Sequence, residues 1–163
     1  MTDRKINMEV IQKFMREAIN EAQKAFEAGE VPIGAVIVLN GVIIGRGHNT
    51  IEKEKDATMH AEMRAIREAC KNIGDWRLNG ASIYTTVEPC IMCMSACILS
   101  RIENVYFGCR QDNFGGSVIV DMDKDKLNLP YRINVTGGIF KEENQELMQK
   151  FFRNARRREE KEL

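Results

Sequence analysis

The chain has 163 residues, 44% of them hydrophobic and 29% charged, an ordinary balance for one globular domain with its own core. Its 24 basic and 24 acidic residues cancel, so net charge gives no argument for a nucleic-acid partner. No apolar run reaches the roughly 18 residues of a membrane-spanning helix, and the first ten residues lack the apolar region of a secretion signal.

Between Met8 and Ala28 the residues Ile11, Phe14, Met15, Ala18, Ile19, Ala22 and Phe26 recur at helical spacing. That pattern predicts a helix with Asn7 as N-cap and Gly29 as stop. Ile33–Leu39 and Val42–Gly47 flank Asn40-Gly41, the dipeptide favoured in type I′ hairpin turns, and are expected to pair. His60–Ile73 is helical again, with Thr58 as cap and Gly74 as terminator. Ala81–Val87 is β-branched and aromatic, follows a turn at Leu78-Asn79-Gly80, and reads as a strand. Cys90–Ser100 makes a short helix with Pro89 at its entrance, where proline is tolerated. Asn104–Gly108 and Tyr131–Gly137 read as strands, and Glu142–Glu160 as a final amphipathic helix. Between them Arg110–Gly116 is a loop and Asp121–Lys126 a charged turn or surface segment. Alternating helices and strands predict an α/β sheet with helices on both faces. A single domain is expected over residues 1–163, with a core at about 8–140 and a basic C-terminal helix at about 141–160.

The cysteines are Cys70, Cys90, Cys93, Cys97 and Cys109. In a chain without a signal they read as thiols or metal ligands rather than disulfides, and the expected location is the cytoplasm. Pro89-Cys90-Ile91-Met92-Cys93 resembles half of a metal site, with no second Cys-x-x-Cys to complete it. Thiolate sulfur and imidazole nitrogen suit zinc, and three protein ligands with one open position is the catalytic arrangement. His60, Cys90 and Cys93 fit that count. On a helix Cys97 rises about 10 Å beyond Cys90, and Cys70 about 15 Å beyond His60, so both fall outside. Spacing alone leaves Cys109 and His48 open; both read as structural. Glu62, two residues past His60, does not share its helix face and reads as a proton carrier rather than a ligand. The alternative for the cysteine pair is a thioredoxin-like redox motif.

His60-Ala61-Glu62 followed by Pro89–Cys93 resembles the signature of the zinc-dependent cytidine and adenosine deaminases. More narrowly, the chain is similar to the bacterial tRNA adenosine deaminases through Gly29–Val38, His48-Asn49, Asp75–Cys93, Ser100–Ile102, Val105–Gly108 and Phe151–Arg157. The resemblance implies a three-layer α/β/α sandwich around a central five-stranded mixed sheet, usually as a homodimer. It implies one Zn2+ per chain held by His60, Cys90 and Cys93, with Glu62 moving protons. It further implies attack of an activated water on C6 of adenine, turning adenosine to inosine at the wobble position of tRNA anticodons. Asn49 matches the residue that holds the flipped base, and Ile33 and Ala61 match positions lining its pocket.

The chain departs from the family pattern at Ala57-Thr58-Met59, where Pro-Thr-Ala is usual. It departs again at Met94, where Ala is usual, and at the loop Asn113–Val120. Arg153, Arg156, Arg157 and Arg158 crowd four arginines into six positions. They read as contacts to phosphates or unpaired bases of an anticodon loop, or as a solvated helix face paired with the acidic residues that follow. Two other functions fit the same fold. A deaminase of a free nucleobase or nucleoside, of guanine or cytidine type, would not need the arginines. A silent zinc subunit of an active deaminase would be expected to lack Glu62.

Overall fold

The computed structural model describes residues 7–122 and 126–162. Helix α1 (Met8–Glu27) opens as expected, with the Asn7 side chain accepting from the Glu9 amide at 3.1 Å, and closes before Gly29 at φ +76°. Strands β1 (Gly34–Leu39) and β2 (Val42–His48) form the hairpin. Asn40 and Gly41 both have positive φ, +51° and +77°, the backbone that a type I′ turn demands.

A single turn, α2 (Ile51–Glu54), leads to α3 (Ala61–Ile73), then β3 (Ser82–Val87), α4 (Ile91–Leu99) and β4 (Asn104–Cys109). The chain ends through α5 (Ser117–Met122), β5 (Asn134–Thr136) and α6 (Lys141–Glu162). The strand order is β2-β1-β3-β4-β5. β1 runs antiparallel to β2 and β3, whereas β3, β4 and β5 are mutually parallel. The result is the expected mixed five-stranded sheet.

The two faces follow from the two-residue period of a strand. Ala35 and Ile37 pack with Ala61, Ala65, Ala69, Met94 and Ile98 of α3 and α4. Val36 and Val38, one position over, pack with Ile11, Phe14 and Met15 of α1 beside Tyr84 and Tyr106. Tyr84 stacks on Tyr106 with centroids 5.0 Å apart, and burial pushes its phenol up to about 12. α3 lies close to β2 because Gly45 and Gly47 offer it no side chain: a Cβ on Gly47 would fall 2.2 Å from the Ala61 carbonyl oxygen. α6 joins the α1 side through the Phe26–Phe151 ring contact and the Arg16–Glu143 ion pair.

Several boundaries differ from expectation. The cap of α3 is His60, not Thr58, whose hydroxyl instead donates to Asp56 at 2.7 Å. Cys90 is the N-cap of α4 rather than its first helical residue. The strand expected over Tyr131–Gly137 shrinks to Asn134–Thr136 at the sheet edge, where it pairs only with β4. Asp121 and Met122 close helix α5 instead of opening a charged turn, and residues 123–125 of that segment lie outside the described residues.

Candidate metal centre

The antiparallel β1 lets two helices start at the same end of the sheet, where β2 and β3 finish and β1 begins. α3 enters beside β2 and β1, and α4 follows directly from the end of the parallel strand β3. His60 caps α3 and Cys90 caps α4, and neither side chain makes a capping hydrogen bond. Both are therefore free to turn toward each other, and Cys93 joins them from the first turn of α4.

His60 Nδ1 lies 3.6 Å from Cys90 Sγ and 3.5 Å from Cys93 Sγ. One ligand atom from each of the three falls within 4.8 Å of the others. Nitrogen and sulfur donors at tetrahedral zinc bond distances stand about 3.5 Å apart, so the observed spacing fits one ion. The Cys90 thiol is held down to about 4, chiefly by its hydrogen bond with Cys93 and then by His60, while Cys93 is pushed up.

Glu62 sits in the first turn of α3 and is 3% exposed. Burial raises its carboxyl above the usual range. Its Oε1 accepts from the Thr85 hydroxyl at 3.5 Å. It is not one of the three grouped donors.

The remaining cysteines and His48 lie elsewhere. Cys97 is fully buried in the core, and burial pushes its thiol up. Cys70 donates to the Trp76 carbonyl at 3.7 Å and Cys109 to that of Thr86 at 3.7 Å. His48 Nδ1 pairs with Glu21 at 3.2 Å.

A cleft of about 900 Å³ is lined among others by Ile33, Val87, Phe107, Gln145 and Phe152, while His60, Glu62, Cys90, Cys93 and Asn49 are not in its lining. Val87 leads directly through Glu88 and Pro89 to Cys90. The Asn49 amide donates to the Ile33 carbonyl at 3.1 Å, and its buried side chain makes no hydrogen bond among the described residues. Ala61 is wholly buried in the core and does not line the cleft. Arg153, Arg156, Arg157 and Arg158 are exposed along α6, and none forms an ion pair among the described residues.

Glu88 is one of three buried acids, with Glu21 and Glu30, that the sequence does not single out. Glu88 is 4% exposed and accepts from the backbone amides of Gln111 and Ser117, each at 3.2 Å. Its only signal in the sequence is its place just before Pro89-Cys90.

A family model described as the cytidine and deoxycytidylate deaminase zinc-binding region matches residues 8–109. The tRNA-specific adenosine deaminase of Bacillus subtilis (strain 168) is 46% identical over 147 residues, covering 89% of this chain and 90% of that protein. A solved structure from studies of A-to-I editing by tRNA:A34 deaminases at the wobble position superimposes with a TM-score of 0.76 at 39% identity, covering 83% of this chain and 98% of the other. The guanine deaminase of Bacillus subtilis superimposes less well, with a TM-score of 0.60 at 36% identity over 71% of this chain and 77% of its own.

Proposed function

This chain belongs to the family that carries the cytidine and deoxycytidylate deaminase zinc-binding region, and on that premise we propose that it converts adenosine to inosine at the wobble position of tRNA anticodons by hydrolytic deamination. The supporting observation is the triad His60, Cys90 and Cys93, spaced for one zinc ion with an unligated, buried carboxylate two residues from the histidine. The tRNA reading is favoured over a free-base one by the likeness to the tRNA-specific enzyme of Bacillus subtilis, 46% identical over 89% of this chain, against 36% over 71% for the guanine deaminase of the same organism.

A zinc ion held by the triad supplies Lewis acidity toward a water molecule. The chain's own residues do the rest. Glu62 takes a proton from that water and returns it to the amino group of adenine, which leaves as ammonia while oxygen becomes bonded to C6. Its raised pKa suits a group that must both accept and release a proton. Asn49 offers its unused amide to the base, and Ile33 with the cleft beyond it receives the flanking nucleotides. The exposed arginines of α6 meet phosphates.

We place this activity in the cytoplasm, with tRNA; no helix among the described residues is long and apolar enough to cross a membrane. A homodimer accounts for the exposed apolar side chains Leu99 and Val118 on the neighbouring helices α4 and α5, and sedimentation of the purified protein tests it.

The deciding experiment for substrate is a panel. Transcribed tRNA with adenosine at the wobble position is incubated beside free guanine, cytidine and adenosine, and inosine and ammonia are measured. Inosine in the tRNA is expected. Ammonia from the small substrates alone would make this a free-base deaminase.

A further inference from the structure

Glu88 lies between the last residue of β3 and the ligand Cys90, and both of its carboxylate oxygens are committed to one distant segment. Oε2 accepts from the Gln111 amide and Oε1 from the Ser117 amide. Two backbone bonds run alongside. The Gly116 amide donates to the Pro89 carbonyl at 2.7 Å, and the Ile91 amide to the Phe114 carbonyl at 3.0 Å. Together they make Cys90 and Gly115 an antiparallel bridge pair. Gly115 passes directly over the carboxylate, since a Cβ there would lie 2.8 Å from Oε2. The segment 111–117 is thus stapled to the same residues that open α4 and carry a metal ligand.

The near end of that segment has a second role. Arg110, Gln111, Asp112 and Asn113 line the 900 Å³ cleft that also holds Ile33 and Val87. One wall of the cleft is therefore fixed in register with the ligand Cys90 by the Glu88 carboxylate together with these backbone bonds. We propose that Glu88 is a positioning residue for substrate: by latching Gln111 and Ser117 it sets the distance between the cleft wall and the reacting centre. This rests on the cleft receiving the substrate, as argued above. A carboxylate is suited to the task because it only accepts, and both its partners only donate. Glutamine of the same size would turn an NH2 donor toward an N–H donor and release one end of the segment.

The test compares Glu88→Gln with Gly115→Ala, which keeps the carboxylate but pushes the loop off it. Zinc content, amide hydrogen exchange and steady-state kinetics are measured on the full chain. Both variants should keep wild-type zinc content, exchange the amides of 111–117 about tenfold faster, and raise KM about tenfold with kcat within about threefold. Loss of zinc from Glu88→Gln would overturn the proposal, because Glu88 would then serve the metal. A lowered thermal midpoint with KM unchanged would also overturn it, because the role would then be stability alone. A wild type that acts on free base but not on tRNA would sink the functional reading above, and the same KM comparison on that base would still decide the role of Glu88.

Discussion

His60 Nδ1 stands 3.5 Å from Cys93 Sγ although 33 positions separate them. The contact exists because two helices begin at one end of the sheet, and it sorts the cysteines of the chain by function. Cys93→Ala should abolish zinc binding, measured as metal per chain after dialysis. Cys97→Ala, one turn further along α4, should leave metal content unchanged and cost roughly 1 kcal/mol of stability through lost packing. Equal zinc loss from both variants would mean the ligand set is different.

Glu62 carries no ligand duty in this arrangement. Glu62→Gln should keep one zinc per chain and the fold while lowering kcat by about 10²-fold or more, read by single-turnover deamination. An active glutamine variant would remove Glu62 from the chemistry.

Acid sensitivity should trace in part to Glu21. Burial alone would raise its carboxyl, but hydrogen bonds from Lys24 and His48 outweigh it and hold the folded-state pKa below the ordinary 4.5. A depressed acid stabilises the fold fully above its unfolded value, and that stabilisation is lost as pH falls through the folded one. Urea midpoints of the wild type should therefore decline below pH 4.5, and Glu21→Gln should flatten that decline while lowering stability at neutral pH. A variant with an unchanged acid profile would place the sensitivity elsewhere.

The arginines of α6 predict a salt effect. Because Arg156, Arg157 and Arg158 are exposed and form no ion pair among the described residues, replacing them with glutamine should weaken tRNA binding. Each arginine removed from a phosphate contact should also flatten the slope of log K against log salt by about 0.7. Filter binding across a salt series measures both. An unaltered slope would leave these residues as a solvated face.

Much of this was legible because the relevant signals are local. Asn40-Gly41 announces a turn that needs two positive φ angles, and an imidazole with a spaced pair of thiols announces a soft metal. The cap of α3 falls at His60 rather than Thr58 because the Thr58 side chain turns back to Asp56, a choice made by loop geometry. The helix Ser117–Met122 gives no sequence signal because its six residues carry no helical period. The strand at Asn134–Thr136 is shorter than its β-branched run because an edge position beside β4 supports few ladder bonds. Glu88 was illegible for a deeper reason: its partners are backbone amides 23 and 29 positions away, and backbone carries no sequence signature.

His60 and Cys90 hold the capping positions of α3 and α4 without capping either helix. Each helix start therefore forgoes a bond that serine or aspartate would have given, a loss of about 1 kcal/mol apiece. The metal makes good that deficit by tying the two ends to one point. Chelation should accordingly act as a local denaturant, fraying both first turns together, and the protein's memory of where its helices begin would reside in the ion rather than in the peptide.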